Sequence, residues 1–255
     1  MSVRQKFDGL SDDYDLHRPR YPDEFFATIA EELTSFAEVT VVDTGAGTGI
    51  ALEGLVPALG GSTRYLAVDV SQDMVDRGRR KFPGVEWTVG AAEEYLEGLT
   101  QRVQLVVAAQ AYQWMDRKRY VAAALAALAP GGLLAIMQNN RDHTSSAFLD
   151  AYESLLEVHS PGYGRGYRDF DIRAEVAADF EPAGGRVDTR VARWIRSVRV
   201  EDFVRMSSSS TQVQRAIAKE GEGFLDLVRG LCEEHARDGS LDVAYTSELF
   251  LGVRG

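Results

Sequence analysis

A single cysteine, Cys232, excludes an intrachain disulfide and reads as a small buried apolar thiol. Histidines are scarce and scattered at positions 17, 143, 159 and 235, so no zinc spacing arises and no metal site is expected. No apolar run approaches the length of a membrane span. Met1 to Phe7 lacks the apolar core of a signal peptide, so the expected location is cytoplasmic. Positive charge is outnumbered: 28 Lys and Arg face 39 Asp and Glu, for a net charge of -11. Nucleic acids and anionic membranes need clustered cations, so neither is an expected partner. Internal repeats and long linkers are also missing. A length of 255 residues then suits one α/β domain with additions.

What the chain does have is the stretch Val39-Thr40-Val41-Val42-Asp43-Thr44-Gly45-Ala46-Gly47-Thr48-Gly49. A β-branched apolar run enters a glycine-rich turn, and an apolar stripe at helical spacing follows through Ile50, Leu52, Leu55, Val56 and Leu59. Strand, tight loop and helix in this order put a ligand at the strand's carboxyl end, on the helix N-terminus. Asp43 stands just before the glycines, where it would repel a dinucleotide's pyrophosphate and attract a ligand carrying an ammonium and a sulfonium. The loop reads G-x-G-x-G rather than G-x-G-x-x-G. About 20 residues on, Tyr65 to Val70 is a second strand ending in Asp69, placed to accept both hydroxyls of a ribose. Ser71 is the expected N-cap of the next helix, which carries Met74 and Val75.

Asp23 is a possible cap for a helix from Glu24 to about Phe36. Val85 to Val89 alternates like a short third strand, and the small residues of Gly90-Ala91-Ala92-Glu93 leave room for a flat ring. Val103 to Ala109 is a near-continuous apolar run interrupted by Gln104, as in a strand buried on both faces, and opens into Gln110-Ala111-Tyr112-Gln113-Trp114-Met115-Asp116. An alanine-rich helix follows, then a fifth strand over Gly132 to Met137 that ends at Gln138-Asn139-Asn140-Arg141. Five strands alternating with helices predict a parallel doubly wound sheet. Beyond Arg141 helices predominate, with late strands at 187–198 and 243–253; Gln212 to Ala236 is expected to be helical, and Ser207 to Ser210 reads as a helix end.

These motifs resemble the class I S-adenosylmethionine (SAM)-dependent methyltransferases, small-molecule branch, of the methyltransferase type 11 or trans-aconitate methyltransferase-like kind. The matching residues are Val42 to Gly49, Val68 to Met74, Gly90 to Glu93, Ala109 to Asp116, and Tyr14-Asp15-Leu16-His17-Arg18-Pro19-Arg20-Tyr21-Pro22. The resemblance implies a Rossmann-like doubly wound α/β sheet of seven strands, the last antiparallel, with helical lid insertions. It divides a single domain over 1–255 into an N-terminal cap (1–35), a SAM-binding core (36–141), lid helices (142–185 and 200–237) and the two closing strands. It places Asp43, Gly45, Ala46, Gly47 and Gln110 at the methionine moiety, Asp69 at the ribose, and Val70, Met74, Ala92 and Glu93 around the adenine. Ala91 stands where the family commonly has an acid. Tyr14 would lie near the sulfonium and Arg18 near the methionine carboxylate.

Catalytic candidates are Tyr14 and His17, the only histidine near a motif. Acceptor-side candidates are Tyr21, Tyr112, Gln113, Trp114, Asn139 and Arg141, with Tyr163, Arg165, Tyr167 and Arg168 available from the lid. Gln113 replaces a histidine frequent in the resembled family, and an amide is no base near neutral pH. The expected activity is methyl transfer from SAM to a small-molecule acceptor by in-line displacement. An NAD-dependent oxidoreductase and a noncatalytic SAM-binding protein are the alternatives.

Overall fold

The computed structural model describes residues 18–60, 62–167 and 169–255. Tyr14, His17 and Arg168 lie outside the described residues. Strand and helix alternate as the apolar periodicity dictates. After α1 (Asp23–Glu32) come β1 (Thr40–Thr44), α2 (Ile50–Leu59), β2 (Arg64–Asp69), α3 (Gln72–Lys81), β3 (Glu86–Val89), α4 (Ala92–Glu97), β4 (Val103–Ala109), α5 (Arg117–Ala127) and β5 (Leu128–Arg141). The second half holds α6 (Ala147–His159), α7 (Ile172–Phe180), β6 (Arg186–Arg199), α8 (Val200–Ser208), α9 (Thr211–Glu220), α10 (Gly223–His235) and β7 (Ser240–Val253). The seven strands form one sheet in the order β3-β2-β1-β4-β5-β7-β6. The pairs among β1 to β5 are parallel, and β7 runs antiparallel to both of its neighbours.

The apolar run of β4 is buried on both faces. Leu105 and Val107 pack with Phe25 and Ile29 of α1, Leu52 and Leu55 of α2, and Val75 of α3. Val106 and Ala108 pack with Leu96 of α4, Tyr120 and Ala124 of α5, and Val176 and Phe180 of α7. Burial of each large apolar side chain contributes roughly 1.5–3 kcal/mol, so these two layers hold the sheet together. The sequence groups all of 142–185 with the lid. In the structure α7 instead covers the sheet, because Ile172, Val176 and Phe180 form its buried stripe.

A third core forms the lid. Phe148 and Tyr152 of α6, Phe203 of α8, Val213 of α9, and Phe224, Val228 and Cys232 of α10 close over Val198 of β6 and Val243 and Tyr245 of β7. β5 pairs with β4 only as far as Met137 opposite Ala109, then continues to Arg141 beside Tyr245. The lid stands on this overhang.

Three local expectations change. Pro22, not Asp23, is the N-cap of α1, and Asp23 and Glu24 occupy its first turn, where acids suit the helix dipole. The helical stretch expected over Gln212 to Ala236 divides in two at Gly221, whose φ of +83° favours glycine and breaks the repeat. β5 begins at Leu128 rather than Gly132. No helix among the described residues is long and apolar enough to cross a membrane.

Candidate active site

The carboxyl ends of β1, β2 and β4 frame a cleft. At the end of β1 the buried Thr44 hydroxyl donates to the Val107 carbonyl (2.6 Å) and lies 2.8 Å from the Tyr120 hydroxyl, tying β1 to β4 and α5. The next residues turn sharply, with φ of +63° at Gly45, +57° at Gly47 and +85° at Gly49. A Cβ on Gly45 would fall 2.5 Å from the Ala111 Cβ, so this glycine is needed for packing. A Cβ on Gly47 would meet nothing within 4 Å, so this one leaves space beside the main chain. The Gly47 N–H donates to Asp69 Oδ2 (2.9 Å) and the Ser71 N–H to Asp69 Oδ1 (2.9 Å), which locks the two strand ends together. Ser71 Oγ accepts from the Met74 N–H (3.4 Å) and caps α3, as its sequence position predicts.

The cleft measures about 230 Å³. Of the expected cofactor residues, Gly45, Gly47, Asp69, Val70, Met74, Ala92, Glu93 and Gln110 line it together, and Trp114 joins them. Glu93 also has a structural task, because its Oε1 accepts from the Asp116 N–H (2.8 Å) at the start of α5. Ala46 faces an adjoining cavity of about 50 Å³ with Arg18, Tyr21 and Asn139.

Asp43 lies beneath the loop, fully buried, and neither carboxylate oxygen has a hydrogen-bond partner among the described residues. Burial, together with the charge on Asp69, pushes its pKa up to about 8. Burial also raises Asp69, although the N–H groups of Ser71, Gly47 and Val70 oppose the shift. A buried acid without a donor is costly on its own. Asp43 lines none of these cavities, so its charge would act on an ammonium through the Gly45–Gly47 loop, while the small and apolar wall of Ala92, Val70 and Met74 suits a flat ring. The residues present therefore fit SAM.

A chain of amides that the sequence did not reveal crosses the sheet beside this cleft. Gln110 has a φ of +53° and donates through Nε2 to the Asn139 carbonyl (2.5 Å). Gln113 Nε2 donates to the Gln110 carbonyl (2.8 Å), and Gln138 Nε2 to Gln113 Oε1 (3.3 Å). The Asn139 side chain donates to the carbonyls of Arg20 (3.2 Å) and Pro19 (3.4 Å) and accepts from Ser247 Oγ (2.5 Å), which in turn accepts from Trp194 Nε1 (2.7 Å). Asn139 is thus committed to holding the strap of residues Arg18 to Pro22 beside the small cavity. Arg20 reinforces the strap with a two-pronged pair to Glu53 of α2 (2.6 and 2.8 Å). Ser247 and Trp194 join through the β5–β7–β6 register, which no local motif announces.

The acceptor-side candidates separate. Tyr112 is not a cleft residue: it is fully buried, and its hydroxyl donates to Glu175 Oε2 of α7 (2.7 Å). Tyr21 and Arg18 line the cavities on either side of the strap, and Arg18 donates to the Ser209 carbonyl (3.4 Å). Arg141 lines a cavity of about 560 Å³ between the strap and the lid, with Tyr163, Met206 and Tyr245. Its guanidinium meets Glu153 (3.4 Å) and sits over the Tyr152 ring (4.8 Å). Arg165 from the lid is held by Asp150 (2.6 Å) and Glu157 (2.8 Å). The large cavity shares Arg18, Pro19, Gln110 and Asn139 with the small one, which shares Gly45, Gly47 and Gln110 with the cleft. One path therefore runs from the glycine loop to the lid.

Residues 41–132 match the family model described as a methyltransferase domain. An uncharacterised methyltransferase of Schizosaccharomyces pombe is 27% identical over 247 residues, covering 92% of this chain and 94% of that protein. An uncharacterised methyltransferase of Mycobacterium tuberculosis is 34% identical over 129 residues, and there the match spans about half of each chain (51% and 50%). Among solved structures, a SAM-dependent methyltransferase from Geobacter sulfurreducens, in complex with S-adenosyl-L-homocysteine, superposes with a TM-score of 0.57. It is 16% identical and the match covers 99% of both chains, a likeness of fold.

Proposed function

The chain is a class I SAM-dependent methyltransferase, and from that premise we propose that it methylates a small-molecule acceptor by direct in-line displacement. The observation that carries the reading is the half-open cavity of about 560 Å³ between strap and lid, joined to the glycine loop through Gln110 and Asn139. Its size suits a metabolite-sized ligand and leaves little room for a macromolecule. Asp43 and the Gly45–Gly47 loop would hold the methionine end of SAM, Asp69 the ribose, and Val70, Met74 and Ala92 the adenine. Bound there, SAM supplies an electrophilic methyl group.

The chain's own contribution is placement and exclusion of water. The strap of Arg18 to Pro22 borders the small and the large cavity, and Asn139 and Glu53 hold it there. Displacement depends mostly on bringing two reacting atoms into line in a dry pocket, which needs no catalytic triad. A nicotinamide dinucleotide is poorly served, because its pyrophosphate would lie beside Asp43.

The test is incubation of the purified protein with methyl-labelled SAM and fractionated cell extract. Label is expected in the small-molecule fraction. Label confined to protein or nucleic acid would refute the acceptor class, and S-adenosylhomocysteine binding without turnover in any fraction would favour the noncatalytic reading.

A further inference from the structure

One face of the sheet changes character along β5 and β7. Ile136 and Phe250 are cross-strand partners, both buried and packed with α7. Two residues further along β5, the partners on that same face are Gln138 and Glu248, and Asn140 follows. Phe170 and Asp171 at the start of α7 close the space above. The result is a recess of about 200 Å³ walled by Gln138, Asn140, Phe170, Asp171, Glu248 and Phe250.

Its polar groups are acceptors in excess. Gln138 is 2% exposed. The relay sets its amide orientation: Gln113 donates its own NH₂ to the Gln110 carbonyl, so Gln113 Oε1 must receive from Gln138 Nε2. That leaves Gln138 Oε1 buried in the recess wall with no donor among the described residues, a state that costs free energy until a donor arrives. Two carboxylates stand with it, and among the described residues no cationic side chain lines the recess. Asp171 accepts from the Ala174 N–H (2.9 Å), and its charge offsets the positive end of α7. The neighbouring Arg117 stacks on Phe170 (4.2 Å), and Glu175 holds it at 2.9 Å. Burial pushes the Glu248 carboxyl up, with the Asn140 amide opposing. The recess shares Asn140, Phe170, Asp171 and Glu248 with the large cavity, so a ligand in that cavity reaches it.

We propose, resting on the small-molecule reading above, that this recess binds a protonated amine of the acceptor through Gln138, Asp171 and Glu248, with an attached apolar group against Phe170 and Phe250. An ammonium supplies the donor that Gln138 lacks and the charge that the two acids attract, and the rings favour a cation or an apolar neighbour.

The test is calorimetric titration of the whole chain with 2-phenylethylammonium, 2-phenylethanol and phenylacetate, with and without S-adenosylhomocysteine. The ammonium is expected to bind saturably, at least tenfold tighter than the alcohol or the carboxylate. Glu248→Gln and Asp171→Asn keep side-chain shape and, at 171, the helix cap. Each is expected to weaken the ammonium at least tenfold while S-adenosylhomocysteine affinity stays unchanged. Equal binding of the alcohol or the carboxylate, undiminished ammonium binding in both variants, or silence from all three probes would overturn the proposal. Failure of wild-type protein to bind S-adenosylhomocysteine counts against the methyltransferase reading instead, and titration without it still judges the recess.

Discussion

Asp43 is costly to keep. Its folded pKa of about 8 lies above the ordinary value of 3.8, so the folded protein binds a proton more tightly than the unfolded chain does. The sign follows from linkage: the group's contribution to stability is fully present below pH 3.8 and is lost as pH rises through about 8. Asp43→Asn removes the penalty. Its melting temperature is expected to exceed that of the parent, by more at pH 8.5 than at pH 5, in thermal scans without ligand. Cofactor binding changes in the opposite sense. The carboxylate must lose its proton to pair with an ammonium, so S-adenosylhomocysteine affinity should fall as pH drops below about 8, approaching tenfold per pH unit. Calorimetry at pH 6.5 and 8.5 checks this. In Asp43→Asn the binding should be weaker and the slope absent, and an unchanged slope would remove Asp43 from the binding account.

Among the elements, the strap and the amide chain couple the N-terminal segment to β5. Asn139→Leu takes away the anchor for Pro19 and Arg20 and leaves Ser247 without its acceptor, at a cost of about 1–3 kcal/mol. The melting temperature is expected to fall by several degrees, and trypsin to cut faster after Arg20; unchanged cleavage would mean that the strap is held without Asn139. The same elements show what the sequence could and could not tell. β1, the glycine loop, β2 and β4 were legible because apolar runs, glycines and strand-end acids lie next to one another in the chain. Their expected ligands Asp69, Val70, Met74 and Gln110 accordingly line one cleft. Tyr112 was misplaced because an aromatic after a strand end can face the cleft or the core. Its direction depends on Glu175, which lies 63 residues away. The roles of Asn139, Gln138 and Glu248 were hidden for the same reason, since they arise from cross-strand register with β7. The assignment of α7 to the lid failed because its apolar stripe fits either surface.

For the molecule as a whole, the sheet ends in a long strand, β6, whose outer edge pairs with no other strand among the described residues. β6 carries five arginines and one acid in 14 residues, although the chain is acidic overall, and its Val191 and Ile195 are 51% and 67% exposed. An exposed apolar edge invites pairing with another chain, and charges along it oppose that. Arg190→Val combined with Arg193→Val is expected to raise the apparent mass in sedimentation velocity, with the monomer fraction falling as concentration rises. Unaltered sedimentation would deprive the arginines of this protective role.

The position of β7 has a consequence for the order of assembly. It is made after the six other strands, yet it sits inside the sheet and pairs with β5 along nine residues and with β6 along fourteen. While the chain emerges from the ribosome, β5 waits with an open edge and β6 has no place in the sheet. The first five strands can collapse around their local contacts, but the overhang, the lid and the Asn139–Ser247 link come together only when β7 threads into the gap. The catalytic architecture is therefore completed late, in one closing step, and the nascent chain carries an adhesive edge until then.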